Sequence, residues 1–314
     1  MERRFDVLVV GELNVDIILD RMTTLPEVGK EILARAMTLT LGSSSAIFAH
    51  TLRCLGPSVA FLGKVGDDPF GAFVTERLRI GRVDTSMLLV TPEVPTGATL
   101  VLNRGEDRAM VTYPGAMEHL TLEDLTPERL ASARHLHLSS VFLQPGLQRR
   151  VAGLFRRAKE AGMTTSFDPQ WDPAETWDLD LAAILPDVDV FLPNEAEILR
   201  LTGKDDVPSA LAALRPHARA VVVKQGNRGA TVQRGDQILS RPAFLNTRVV
   251  DAIGAGDSFD AGFVARFIQG DPLPSCLSFG NLMGAVSTTA AGGTGAFGSL
   301  AGVMSVARER FHHA

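Results

Sequence analysis

Val188–Gly203 reads "VDVFLPNEAEILRLTG", and Arg219–Gly226 reads "RAVVVKQG". The pieces "VDVFLPN" and "RAVVVKQG" are short apolar runs, rich in β-branched residues and closed by turn residues. Such runs predict buried strands. Between them "NEAEILRLTG" predicts a short helix, with Asn194 a favoured N-cap. Strand, helix and strand in succession predict a mostly parallel sheet with helices on both faces.

The same alternation extends towards the N-terminus. "HLHLSSV" (135–141) and "MTTSFD" (163–168) predict strands. Between them "GLQRRVAGLFRRAKEAG" (146–162) predicts an amphipathic helix, with Leu147, Val151, Leu154, Phe155 and Ala158 on one face. "FDVLVVG" (5–11) predicts a first buried strand, and "VAFLGKVG" (59–66) a second. Helices are predicted over Ser43–Leu55 and from Pro69 to a stop at Gly81. Two stretches break the rhythm. Residues 13–41 mix β-branched alternation with turn residues, and Gly97–Gly115 reads as a hairpin turning at "RGED". These excursions, about 13–41 and 95–117, predict a small separate sheet. No linker divides the chain, so residues 1–314 are read as one α/β domain.

Composition narrows the class. The 314 residues are 45% hydrophobic and 21% charged, ordinary for a soluble globular protein. A formal charge of -5 with no long run of one sign disfavours a nucleic-acid or anionic-membrane partner. Cys54 and Cys276 sit in apolar helical stretches, so no disulfide framework or zinc motif is legible. A reduced, cytoplasmic location is the expectation. The N-terminal apolar run is too short for a signal peptide or a membrane span.

The chemistry concentrates in "DAIGAGDSFDAGF", Asp251–Phe263. Phe259, Phe263 and Phe267 recur every four residues and predict a buried helix starting near Ala255. Its first N–H groups have no intrahelical partner and carry the positive end of the helix dipole. Gly254, Ala255 and Gly256 leave them uncovered, which suits a phosphate or a phosphoryl group in flight. Asp257 lies in the first turn, where the dipole favours its ionised form, and there it can take a proton from an attacking hydroxyl. The plainer reading is an acidic cap on a tightly packed helix.

Together these segments resemble the ribokinase-like (phosphofructokinase-B type) carbohydrate kinase family, which also holds adenosine kinase. "DAIGAGDSFDAGF" is similar to its C-terminal signature, with Ala252 where threonine is common; "LGSSSAIFAHTLRCLGPSVAFLGKVGDDPFG" (41–71) is a looser counterpart of its N-terminal signature. The resemblance covers nearly the whole chain. It implies a three-layer α/β/α fold with a small β-sheet lid, ATP and magnesium as cofactors, and a homodimer.

Carried over by position, the resemblance implies Asp257 as catalytic base and Gly254–Gly256 as the anion hole. It puts a monovalent cation such as potassium at Asp251. Asn194 and Glu197 would organise magnesium and the triphosphate, the glutamate through water. Lys224, Gly226 and Gly229 fall on the nucleotide side, and Asn281 at the adenine pocket. Asp16, Gly42 and Ser43 fall at the sugar. Each has a plain counterpart: a helix cap for Asn194 and Glu197, a solvated strand end for Lys224, a turn acid for Asp16.

Departures bear on the acceptor. Ile47 stands where family members commonly carry an asparagine, and Ser43 replaces a glycine, so the hydroxyls of Ser43, Ser44 or Ser45 are candidate contacts. No lysine of the kind that holds phosphorylated fructose is present in this segment, although Arg104, Arg108 or Lys64 are alternative sources of charge. "FDPQWDPAETW" (167–177) offers Asp168, Gln170, Trp171 and Trp177 either as a sugar-facing wall or as a loop pinned by tryptophan packing. His135 and His137 share a strand face, but without a nearby carboxylate or cysteine cluster a metal role is disfavoured. The expected reaction is ATP-dependent phosphorylation of a sugar hydroxyl. A nucleoside kinase and a non-catalytic sugar- or nucleotide-binding regulator are the alternatives.

Overall fold

In the first strand, β1 (Phe5–Val10), successive side chains point to opposite faces. Val7 and Val9 enter one apolar cluster, and Leu8 and Val10 enter another. The structure, a computed structural model, describes residues 3–104 and 107–313. The hairpin tip at Gly105 and Glu106 and the side chains of Arg104 and Arg108 fall outside what is described.

The strands in chain order are β2 (Asn14–Asp20), β3 (Ala36–Leu41), β4 (Val59–Leu62), β5 (Lys64–Gly66), β6 (Leu89–Thr91), β7 (Gly97–Arg104), β8 (Asp107–Tyr113), β9 (Ala133–Ser139), β10 (Thr164–Asp168), β11 (Val190–Phe191), β12 (Val221–Lys224), β13 (Ala230–Arg234) and β14 (Gln237–Arg241). An eight-stranded central sheet runs in the order β14-β13-β12-β11-β10-β9-β1-β4. It is parallel from β4 to β12, and β13 and β14 add an antiparallel edge. One face packs under helices Val151–Glu160, Glu195–Thr202 and Val207–Leu214, through Leu154, Ile198 and Leu211. The other packs under Ser44–Cys54, Ala255–Phe267 and Leu273–Ser287, through Phe48, Phe263 and Leu277. The result is a three-layer α/β/α arrangement.

The two excursions supply a second sheet in the order β3-β2-β7-β8. Paired residues across it share a face. One face carries Asp16, Thr40, Thr99 and Thr112 in one row; the other carries Ile17, Leu39, Leu100 and Val111 in the next. The row through Asp16 is therefore polar, and the row through Ile17, on the opposite face, is apolar.

Two predicted elements divide. Residues 59–66 form β4 and β5, because the chain leaves the central sheet at Gly63 and Lys64–Gly66 pairs with β6 instead. Residues 146–162 form two helices, Pro145–Gln148 and Val151–Glu160, broken where Arg150 adopts φ -120°. Leu147 and Val151 are both buried across that break, so the apolar face survives the backbone interruption. No helix among the described residues is long and apolar enough to cross a membrane.

Candidate active site

Helix Ala255–Phe267 begins at Gly254, whose φ of 75° lies in the left-handed region, and no side chain caps it. A Cβ on Gly254 would sit 2.8 Å from the Gly293 Cα and 2.9 Å from the Ile47 Cγ2, so crowding as well as φ demands glycine. The N–H groups of Gly256 and Asp257 lie in the first turn, where no intrahelical acceptor exists. Behind them Phe259, Phe263 and Phe267 stack at 6.4 and 6.3 Å and anchor the helix in the core.

Charged side chains converge where the parallel strands end. Asp168 closes β10 and Lys224 closes β12. The Lys224 Nζ donates to Asp168 Oδ2 at 2.7 Å and to Asp260 Oδ2 at 2.9 Å. Gln170 donates from Nε2 to Asp168 Oδ2 at 2.7 Å and to Asp257 Oδ1 at 2.9 Å. Four carboxylates, with Glu197 the fourth, thus face one ammonium group. Burial opposes the charge on Lys224, yet Asp168, Asp260 and Glu197 hold it above the usual lysine range. Burial, then Asp168, raise Glu197 to about 8. Burial raises Asp260 well above the carboxylate range against the pull of Lys224. For Asp257, burial and Asp168 outweigh the pull of Lys224 and the hydrogen bonds from Ser44 and Gln170, and raise its pKa to about 6.

Three cavities meet around this cluster. The first, about 400 Å³, is lined by Gly226, Gly229, Phe244, Asn281 and Ala285, among others. The second, about 460 Å³, holds Asp257, Asn194, Glu197 and residues 252–256. The third, about 680 Å³, lies under the four-stranded sheet and is lined by Glu12, Asp16, Thr99, Thr112 and Trp171, among others. Lys224 and Gly256 belong to both the first and the second. Asp16, Ser44 and Gln170 belong to both the second and the third. One cleft therefore runs along the strand ends, with Asp257 in its middle part.

The residues singled out from sequence take distinct places along it. Asp16 accepts from Asn14 Nδ2 at 2.9 Å, and burial raises its pKa to about 6. Gly42 lets this pair close in, since a Cβ there would lie 2.2 Å from Asp16 Oδ1. Ser43 holds φ 74°, a glycine-like value, and caps helix Ser44–Cys54 by accepting from the Ala46 N–H at 2.9 Å. Ile47 is buried and lies against Gly254 and Gly293. Asn194 and Glu197 form a capping box: Asn194 Oδ1 accepts from the Glu197 N–H at 2.9 Å, and Glu197 Oε2 from the Asn194 N–H at 2.8 Å. Both nevertheless line the middle cavity. Asn281 Nδ2 donates to the carbonyls of Arg241 and Pro242, each at 3.1 Å. Asp251 ties two loops, accepting from the Ile253 and Gly292 N–H groups at 2.9 Å.

Two side chains sit elsewhere than expected. Asp168 has no exposed surface and lies behind Gln170 as a partner of Lys224, away from the sugar-facing wall. Lys64 donates to the His119 carbonyl and to Asp124, outside the third cavity. Sequence reasoning passed over Asp260 and Glu12. The signal for Asp260 was an acid inside a helix otherwise buried on that face, which requires a partner. Glu12 follows the first strand directly, is 1% exposed, accepts from Ser45, and is raised by burial to about 7.

The pattern of the pfkB family of carbohydrate kinases matches residues 4–297. The chain is 30% identical over 282 residues to the ATP-dependent ribose-1-phosphate kinase of Halopiger xanaduensis, covering 90% of this chain and 91% of that one. It is 32% identical over 271 residues to the fructokinase of Klebsiella pneumoniae, covering 80% and 86%. Among solved structures, the ribokinase of Thermotoga maritima superposes with a TM-score of 0.84 at 23% identity, covering 97% and 100% of the chains. The ribokinase of Arabidopsis thaliana complexed with ribose and ATP gives 0.83 at 23% identity, covering 96% and 98%. The match across nearly all of its length and the likeness of its fold make this chain a member of the pfkB family of carbohydrate kinases, built on the ribokinase fold.

Proposed function

We propose that this kinase transfers the γ-phosphoryl group of ATP to a hydroxyl of an uncharged sugar or sugar-like molecule, with Asp257 as the base. The observation that carries this reading is the place of Asp257. It stands in the middle cavity, beside the open N–H groups of a helix start, with one cavity on each side. The largely apolar cavity around Phe244, Asn281 and Ala285 suits an adenine ring. The cavity under the four-stranded sheet suits the acceptor. There Asp16, Thr99 and Thr112 offer polar atoms to hydroxyls, and Trp171, 45% exposed, offers a ring face.

Asp257 takes the acceptor proton as the phosphoryl group crosses. The Gly256 and Asp257 N–H groups and Lys224 neutralise charge on the group in transit, the kind of positioning and electrostatic help phosphoryl transfer needs. Magnesium travels with the triphosphate. Both Glu197 oxygens already serve Asn194, so a contact through water fits better than direct ligation. A monovalent cation at Asp251 would reinforce the two loops that residue joins. The four-stranded sheet acts as a lid over the acceptor. Its outer apolar face, with Met37 70% and Val111 64% exposed, fits a second copy of the chain in a homodimer.

The acceptor wall argues against phosphosugars. Glu12, Asp16 and Glu118 line it, and none of its described lining residues is lysine or arginine. The test is ATP consumption with D-fructose, D-ribose, ribose 1-phosphate, fructose 6-phosphate and adenosine. Turnover with a neutral sugar supports this reading. Turnover only with adenosine supports a nucleoside kinase, and turnover only with a sugar phosphate overturns the charge argument. Ligand binding without turnover by any acceptor identifies a non-catalytic regulator.

A further inference from the structure

Gln170 follows β10 and holds φ 60°, a left-handed conformation that is unfavourable for a non-glycine residue. The fold tolerates that strain at the boundary of the middle and acceptor cavities, both of which Gln170 lines. Its single NH₂ group is fully committed. One hydrogen goes to Asp168 Oδ2 at 2.7 Å and the other to Asp257 Oδ1 at 2.9 Å. The opposite orientation of the amide would set its oxygen against two carboxylates, so the donor assignment follows from the partners. Asp168 is in turn held by Lys224. Gln170 therefore links the largely buried Lys224–Asp168 ion pair to Asp257, which lines the middle cavity.

We propose that Gln170 is the positioning residue of the base. It pins Oδ1 of Asp257, beside the Ser44 hydroxyl that also serves this carboxylate, and so orients the carboxylate for the acceptor hydroxyl. It also stabilises the ionised form, because it donates to the charge. The strained backbone is what brings the side chain between the two acids. This inference rests on the reading of Asp257 as base, so its test is read out on the carboxylate itself.

Gln170→Gly relieves the backbone strain and removes the amide, which separates the two contributions. Protein labelled with 13C-aspartate is titrated by NMR, with D257N identifying the Asp257 resonance. In Q170G the Tm is expected to equal or exceed the parent value, while the Asp257 pKa rises by about one unit, a tenfold change in proton affinity. Q170E, which replaces the donor with a further carboxylate, is expected to move the titration further in the same direction. With D-fructose as the probe acceptor, the acid limb of kcat/KM moves to higher pH in both variants. An Asp257 titration unchanged in Q170G and Q170E overturns the inference, whatever the turnover. If instead the titration moves and D257N keeps full turnover, Gln170 still tunes Asp257 and the base assignment alone fails.

Discussion

Two buried polar clusters lie along the same strand, β10, and they handle polarity in opposite ways. Midway, Ser166 Oγ lies 2.7 Å from His135 Nε2 and 2.8 Å from His137 Nδ1. Thr164 meets the other His135 nitrogen at 2.8 Å, and His137 stacks on Phe48 at 3.6 Å. Burial pushes the His135 pKa to about 3 and His137 well below its usual value, so this cluster is neutral and sealed. Two residues further on, Asp168 enters a cluster of four carboxylates and one lysine that opens onto a cleft. Ser166 and Asp168 differ in their distance from the strand end. Where the sheet stays covered, hydrogen bonds between uncharged groups suffice. Where it opens, the chain keeps surplus negative charge, a cost that the sealed core could not offset.

The sharpest way to break this comparison is Asp257→Asn. It should lower kcat by about 10²- to 10⁴-fold while ATP affinity changes little, as read by turnover and calorimetry. Near-parental turnover would remove Asp257 from the chemistry. In the parent, the Asp257 pKa of about 6 should give kcat/KM an acid limb near that pH, absent from the residual activity of D257N.

Lys224→Met deletes the only cation within the charged cluster. Removing one partner of a buried pair typically costs about 3–5 kcal/mol, so thermal denaturation near neutral pH should show a large fall in Tm. A loss confined to activity would mean that the carboxylates rearrange or take up protons at little cost.

The two clusters should also bend stability in opposite directions with pH. The histidines titrate lower in the folded chain than in the unfolded one. Unfolding therefore takes up protons, and stability falls as pH drops from about 6.5 towards about 3. Glu197 titrates higher when folded, so stability falls as pH rises from about 4.5 towards about 8. Glu197→Gln should flatten the alkaline arm of a Tm-against-pH curve, and His135→Gln the acid arm. If either variant leaves its own arm unchanged, that cluster is assigned the wrong charge.

The smallest effect belongs to the four-stranded sheet. If its apolar face carries the proposed dimer contact, Met37→Glu, at a side chain that is 70% exposed, should shift the mass seen by light scattering from dimer to monomer; an unchanged mass removes that face from any interface.

Much of this was legible from residue pattern, for physical reasons. The apolar runs ending in Pro193–Asn194 and Lys224–Gly226 place strand ends at the cleft, because a parallel strand buried on both faces must be apolar until it emerges. The glycine turn at 254–256 announces an uncapped helix start. The alternation within 14–20 and 97–104 marks a two-faced sheet. The partners of Lys224 were less legible. Asp168 and Asp260 are 92 residues apart in sequence; the register of β10 against β11 and β12 brings Asp168 to the amine, and the packing of helix Ala255–Phe267 brings Asp260. The role of Gln170 depends on a backbone φ that its residue type does not suggest. The break near Arg150 was hidden because the apolar positions keep their spacing across it.

The order of the cavities along the chain has an evolutionary consequence. Every residue lining the cavity under the four-stranded sheet lies between Glu12 and Ala174, and every residue lining the cavity around Asn281 lies between Lys224 and Thr288. Recombination between Ala174 and Lys224 would exchange one set without cutting the other. Descendants of such a fold can inherit a new lining for one cavity while keeping the other, with the strand-end cluster as the shared seam.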